Sequence, residues 1–507
     1  HWHRMLFARF LADNNLLIHP EHNLSVDLST VADLAHEEAV KAGTKADTWA
    51  MAGRFASRML PQIFRLDDPA LAVQLAPEHQ QSLEKILESL PPSVFTADDS
   101  LGWVYQFWQT DEKARVNDTV KAGAKITGET LPAVTQLFTE HYMVLFLLHN
   151  TIGAWWAGKK ISRVAEQQSS RWETEADVRA AVALPGYSFD YLRFVREEKA
   201  KTFTTENTES TEKGKGSASN HSPSSPLLSS SVSSVPSVVN SSSDSPWRPA
   251  AGTFDGWPRE AKLLKVLDPC CGSGHFLVAA LELLMHLRMA EEKLSPKDAA
   301  AAVIADNLFG LELDPRCTQI AAFNVAPGAW KVAGDHFEAP EMHIACSGLG
   351  PSASLDQWLK LADNSSKAWI GIPNHARQAV TNGLTNLHKL FSQAPELGSL
   401  IDPSQLGAGG ELFSADWETL QPFLAAAMQA EKDEDVHERA IAAQGMTKAA
   451  EVLSGEFTLV ITNVPYLGRG GQGDAIKEFA EKNYLEAKAD LATVFVSRIL
   501  RWLSQNG

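Results

Sequence analysis

The sequence predicts an α/β fold: a doubly wound parallel sheet in residues 251–507, preceded by a mostly helical N-terminal domain. Three observations carry this. After residue 251, short apolar segments alternate with helical patterns, as crossover-connected parallel strands require. The first of those strands runs into its helix through a glycine turn, Val266-Leu267-Asp268-Pro269-Cys270-Cys271-Gly272-Ser273-Gly274. Before residue 201 the apolar residues instead recur at helical spacing, in Val26–Ala42, Ala50–Phe64 and His79–Leu90.

In chain order, Pro91-Pro92 interrupts the first helical block, and Leu101–Trp108 follows within a helical domain of residues 1–130. A further helical segment, residues 131–201, holds Leu131–Ala157 and Val178–Leu184. Residues 202–250 differ: Ser217–Ser245 has 15 serines in 29 positions and no periodicity. Such a stretch buries too little apolar surface to offset its ordering entropy and reads as a linker or insertion. A phosphorylated regulatory segment is the functional alternative. Then come a strand at Lys265–Leu267, a helix at Phe276–Met289, an extra helix at Lys297–Ala305 and a strand at Leu308–Leu313. The next helix, Arg316–Val332, is expected to break at Ala326-Pro327-Gly328-Ala329, because an internal proline costs about 3 kcal/mol. A third strand is expected at Gly398–Ile401 and a buried one at Phe457–Thr462. The loop Asn463–Gly473 follows, then helices at Ala475–Lys482 and Asp490–Trp502.

Composition narrows the function classes. The chain has 507 residues, 44% hydrophobic, with 45 basic and 62 acidic residues and a net charge of −17. That balance argues against a general nucleic-acid coat, which needs Lys and Arg in excess. Four cysteines without a C-x-x-C pair argue against a disulfide scaffold and a structural zinc site, and suit a reducing cytoplasm. Cys270 and Cys271 read as small packing residues, since no basic residue adjoins them to activate a thiol. No secretory signal or membrane span is expected, and no metal. The chain begins with His and reads as a fragment, a processed product or an incomplete open reading frame.

Two places carry chemistry. At the glycine turn, Gly272 and Gly274 let the backbone approach a ligand, the helix N-terminus offers N–H groups to a carboxylate, and Asp268 can accept from an ammonium. One amino-acid end satisfies all three. Glu312, in Gly310-Leu311-Glu312-Leu313-Asp314-Pro315, ends the second strand where a ribose diol binds in doubly wound folds. About 44 residues separate it from Asp268, twice the ~20 of dinucleotide folds, and the extra helix absorbs the excess. The second place is Asn463-Val464-Pro465-Tyr466, directly after an apolar strand. An exocyclic amine on a nucleobase is a poor nucleophile because its lone pair is delocalised. The Asn463 side-chain oxygen and the Val464 carbonyl can accept its two hydrogens and raise its nucleophilicity, while Tyr466 stacks on a base taken out of the duplex. Each motif alone also has an ordinary structural reading, since glycine and Asn-Pro turns are common. Together, and in this order, they are specific.

These motifs resemble those of amino-group DNA methyltransferases that use S-adenosylmethionine. In that family the glycine motif reads roughly D-P-A-C-G-S-G, against Asp268–Gly274, and the catalytic motif Asn-Pro-Pro-Tyr, against Asn463–Tyr466. An upstream motif resembles Leu137-Phe138-Thr139-Glu140. Over about half the chain, including Leu101–Gln106, Leu131–Trp156, Val266–Trp330, Leu397–Ile401 and Val460–Phe495, the sequence is similar to the large adenine methyltransferases of BREX and DISARM phage defence. The methylase part of fused restriction-modification enzymes is similar too. The resemblance implies a Rossmann-like methyltransferase domain over 251–507, without the target-recognition domain of longer relatives. It implies cofactor contacts from Phe138, Thr139, Asp268, Gly272, Gly274, Glu312 and Asp402, and a target-base site from Asn463, Val464, Pro465 and Tyr466. The implied substrate is double-stranded DNA with a flipped adenine, with other defence subunits as partners. Val464 departs from the motif by replacing its first proline, although Pro465 still biases it to extended geometry. The alternatives are a degenerate relative acting as a cofactor-binding scaffold and a protein glutamine methyltransferase. No nuclease constellation is present.

Overall fold

The strand–helix alternation becomes a four-stranded parallel sheet in the computed structural model. The structure describes residues 2–60, 64, 73, 75–97, 100–135, 139–167, 172–196, 247–351, 354–363, 377–405, 419, 420, 423, 445–504 and 507. Most of the serine-rich segment therefore lies outside the described residues. The chain divides into two compact units. One holds His1–Leu148, Leu184–Ser188 and Asp255–Gly507; the other holds His149–Ala183 and Phe189–Phe254.

In the second unit β1 (Phe194–Arg196) pairs antiparallel with β2 (Trp247–Pro249), beside helices Ala154–Gln167 and Glu175–Val182. Glu175 ties these together, accepting from the Phe194 amide at 3.0 Å and from Arg179 and Arg193 at 3.1 Å.

In the first unit the sheet runs β5 (His343–Cys346), β4 (Leu308–Glu312), β3 (Val266–Asp268), β6 (Leu459–Val460), with every pair parallel. Alternation along β4 covers both faces. Leu311 joins Leu267 and Ala345 in a core with Phe391, Leu453 and Trp502. Gly310 faces the other way, where a Cβ atom would come within 2.8 Å of Leu277. Glycine is required there so that the helix His275–Glu292 can lie close to the sheet.

Helices Pro296–Asp306, Pro315–Ala333, Asp474–Asn483 and Leu491–Trp502 occupy the positions expected from the sequence. Asp314 caps Pro315–Ala333 and Asp490 caps Leu491–Trp502, each accepting a first-turn amide. Helices also form at Leu28–Ala42, Thr48–Met59 and Pro77–Ser89, and the first two start at Asp27 and Asp47. These helices belong to the same unit as the sheet. Phe7 of the helix Trp2–Asp13 stacks on Phe323 with ring centroids 4.4 Å apart.

Four expectations are corrected. Gly398–Leu400 is a 3-10 turn, and the third strand is β5. Only Leu459–Val460 of Phe457–Thr462 pairs as strand. The run Leu131–Ala157 begins as two short helices, Leu131–Thr135 and His141–Leu148. The helix Pro315–Ala333 passes through Pro327 unbroken. Burial of Phe323, Val325, Ala326 and Trp330 around the proline outweighs the lost hydrogen bond.

One buried network fixes where β4 begins. Arg288 is 4% exposed and donates to Asp306 at 2.7 Å, Glu292 at 2.7 Å and Asn307 at 3.3 Å. Asn307 in turn donates to the carbonyls of Ala261 and Leu264. Removing Arg288 takes a charged partner from the partly exposed Glu292 and Asp306, while Asn307 keeps its two carbonyls. Arg288→Ala is expected to lower the unfolding free energy by about 1–2 kcal/mol, read from urea midpoints. An unchanged midpoint contradicts this account.

Candidate active site

The strand order reverses between β3 and β6, which is where ligands bind in open α/β sheets, beyond the C-terminal strand ends. Three of the four strands deliver a residue to that edge. Asp268 ends β3, Glu312 ends β4, and Asn463 follows β6 after Ile461, whose amide donates to the Leu267 carbonyl at 2.9 Å. One cleft is lined by Pro269, Gly272, Glu312, Ser399, Asn463 and Pro465, among others. The helix Leu131–Thr135 contributes Leu131, Pro132 and Thr135 to the same cleft.

The glycine turn is built from conformations that side chains rarely adopt. Gly272 has φ +53° and Gly274 has φ +84°. A Cβ at Gly274 would stand 3.0 Å from the Ala321 Cα, whereas one at Gly272 would meet nothing within 4 Å. Gly274 thus allows close helix packing, and Gly272 leaves open space for a ligand. Its amide donates to Glu312 Oε2 at 2.8 Å, and the Leu313 and Asp314 amides donate to Oε1 at 2.8 and 3.1 Å. Three backbone donors hold the carboxylate, and its four lone-pair sites leave one acceptor position for a hydroxyl.

Asp268 is 1% exposed. Its Oδ1 accepts from the Cys270 amide at 3.2 Å, and its Oδ2 is buried with no hydrogen-bond partner. Burial pushes the carboxyl up to about 7, with the Thr462 hydroxyl and the Cys270 amide opposing the rise and the nearby Glu312 charge adding to it. Burial also raises Glu312, against its three backbone donors. Burial raises the Cys270 and Cys271 thiols well above their ordinary value and Cys346 up to about 12, which disfavours their thiolates.

The Asn463 loop is fixed at both ends. Asn463 Nδ2 donates to Thr139 Oγ1 at 3.1 Å. Val464 is half-buried and packs against the central core, Pro465 lines the cleft, and Tyr466 is 67% exposed. Beyond the motif, the Gln472 side chain donates to the Leu467 carbonyl at 2.9 Å. The Gly471 carbonyl accepts from Ile126, and Gly473 donates back to Ile126, both at 2.9 Å.

The expected site residues are distributed unevenly. Gly272, Glu312, Asn463 and Pro465 line the cleft, and Thr139 joins it through Asn463. Phe138 lies outside the described residues. Asp402 is absent from the described lining and is held by Arg498 at 3.0 Å and Arg501 at 3.7 Å. Two participants escaped the sequence reading. Ser399 Oγ donates to the Pro269 carbonyl at 2.6 Å, pinning the turn from across the cleft. Gly398-Ser399 interrupts an apolar run, which is a turn signal. Tyr105, inside the motif-bearing stretch Leu101–Gln106, donates its hydroxyl to Asp314. Burial raises that phenol, which keeps it protonated as a donor.

Residues 306–507 match the Eco57I restriction-modification methylase family. The chain is 24% identical over 454 residues to the adenine-specific methyltransferase PglX of Lacticaseibacillus casei (strain Zhang), covering 88% of this chain and 31% of that protein. It is 24% identical over 471 residues to the adenine-specific methyltransferase BrxX of Escherichia coli O9:H4 (strain HS), covering 88% and 32%. Over 73 residues it is 36% identical to the adenine-specific methyltransferase PglX of Streptomyces coelicolor, covering 14% and 6%. The chain spans about a third of the length of the first two relatives. Their similarity takes in most of this chain, whereas the family match begins beyond the glycine turn, just before β4.

The raised Asp268 carboxyl has a measurable sign. Its folded value of about 7 exceeds the ordinary 3.8, so the folded state binds the proton more tightly. Stability is then greatest below the unfolded value and falls as pH rises from about 4 to 7, by roughly 4 kcal/mol at full width. Asp268→Asn, which carries no charge, is expected to unfold at higher urea than the unsubstituted protein at pH 8 and at similar urea at pH 4. Parallel profiles at both pH values contradict the assignment.

Proposed function

We propose that this chain transfers a methyl group from S-adenosylmethionine to the exocyclic N6 of adenine in double-stranded DNA, as part of phage defence or restriction-modification. The supporting observation is the meeting of three strand ends at one switch point: a buried unpartnered carboxylate oxygen at Asp268, the amide-held Glu312, and Asn463 beside them. In this reading residues 251–507 form a doubly wound methyltransferase domain, with a helical N-terminal domain over 1–130, a helical segment over 131–201 and a serine-rich insertion over 202–250.

The residues fit the cofactor's chemistry. Asp268 Oδ2 is a buried acceptor without a donor, which an ammonium supplies. The remaining acceptor position of Glu312 suits a ribose hydroxyl. The open space over Gly272 admits a ligand against the backbone. With Asp402 held by arginines, the adenine end is left to the wall around Gly398–Leu400. The cofactor supplies an electrophilic methyl carbon on a sulfonium.

The rest is done by side chains and backbone of this chain. Asn463 Oδ1 and the Val464 carbonyl accept the two hydrogens of the target amine, which localises its lone pair. Val464 lacks the ring of proline, but its packing against the core restores the rigidity that the motif needs. Tyr466, exposed beside the cleft, offers its face to a base that has left the stack. Double-stranded DNA is the partner, with other defence subunits alongside, in the cytoplasm. No helix among the described residues is long and apolar enough to cross a membrane.

Incubated with labelled cofactor and bacterial DNA, the protein is expected to yield N6-methyladenine, with Asn463→Ala reducing transfer at least 100-fold. Methylcytosine or methylglutamine as the sole product overturns the reading. Independently of activity, Glu312→Ala is expected to weaken cofactor binding by about 1.5–3 kcal/mol in calorimetry, through loss of a charge-assisted hydrogen bond.

A further inference from the structure

Next to the Glu312 clamp the cleft is lined by apolar side chains. Leu313 and Leu397 share it with Ile476, Leu491 and Phe495, which belong to one apolar cluster. Gly398 brings its backbone close to Leu313, since a Cβ there would come within 2.9 Å of the Leu313 Cδ1. Walls of this kind suit the faces of a flat heterocycle. They leave its polar edge unanswered.

Glu396 is the acid in that wall. It stands in the helix Ala394–Leu397 and is half-buried. Its Oε2 accepts from the Gly128 amide at 2.8 Å. Glycine at 128 permits the approach, because a Cβ there would stand 2.0 Å from the Pro395 carbonyl oxygen. The planar carboxylate is thereby pinned at one oxygen. Among the described residues no hydrogen bond reaches Oε1. An ionised carboxylate accepts at both oxygens and donates at neither, so its open end can serve only a donor.

The cofactor of the reading above carries such a donor at this end. With its ribose hydroxyls at Glu312, the adenine attached to that ribose lies along Leu313 and bears a 6-amino group on its edge. We propose that Glu396 reads that edge: its Oε1 accepts one amino hydrogen, which makes the cleft selective for a 6-aminopurine. This rests on the cofactor reading above. It transfers recognition of the cofactor's base from Asp402, which Arg498 and Arg501 hold, to the wall helix.

Two ligands separate a contact to the base from a structural role: S-adenosylhomocysteine and its analogue with hydrogen in place of the 6-amino group. The analogue has no donor at that position. In calorimetry the unsubstituted protein is expected to bind the amino form about 10-fold more tightly or better. Glu396→Ala is expected to bring the two affinities within about 3-fold of each other, mainly by weakening the amino form. A side chain that only props the wall through Gly128 lowers both affinities by one factor and keeps their ratio. An unchanged ratio in Glu396→Ala therefore overturns the proposal. So do equal affinities in the unsubstituted protein, a result that needs no variant and leaves the cofactor reading standing. Failure of the unsubstituted protein to bind either ligand overturns the cofactor reading itself, and this proposal falls with it.

Discussion

The clamp of three backbone amides on the Glu312 carboxylate is the constraint on which the site depends. A carboxylate this buried is costly unless hydrogen-bonded, and here its donors come from two different strand ends. The Gly272 amide belongs to the turn after β3, and the Leu313 and Asp314 amides to the turn after β4. Satisfying one acid therefore fixes the relative height of both turns. Asp314 continues the chain of constraint by capping the next helix and accepting from Tyr105 and Arg316. Burial would raise the Asp314 carboxyl, yet these hydrogen bonds hold it below its ordinary value. The helix Ser100–Trp108 is thus wired to the strand end that carries Glu312.

Much of this was legible because local chemistry and tertiary demand agree. The glycine turn needs positive φ at Gly272 and Gly274, and only glycine supplies that freely, so its position in the sequence is unambiguous. Helices with an acid before their first turn, at Asp27, Asp47, Asp314 and Asp490, announce their own starts. Asn463 follows an apolar β-branched run and stands where a strand end must stand.

The failures have equally local reasons. β5 is four residues long and begins with His343, so it shows no alternation; its register comes from pairing with β4. Leu400 and Ile401 are buried as strand residues would be, and burial does not distinguish a 3-10 turn from an extended segment. Pro327 carries a strong local penalty that packing on all sides overrides. The resemblance implies a cofactor contact for Asp402, and the structure shows the ion pairs in which its carboxylate takes part. Its partners, Arg498 and Arg501, lie nearly a hundred residues away, and no local pattern announces such an ion pair. The link between Thr139 and Asn463 is of the same kind.

The parallel order of the sheet has a temporal consequence. β4 follows β3 by about forty residues and can pair with it early in synthesis, but β6 arrives about 190 residues after β3. At roughly 5–20 residues per second, one edge of β3 stays without its neighbour for about 10–40 s on the ribosome. An apolar strand edge left open that long is a template for wrong pairing. The junction of β3 and β6, where the chemistry is gathered, is therefore the last to close, and the nascent chain is most vulnerable to misassociation while its most specific residues are still being made.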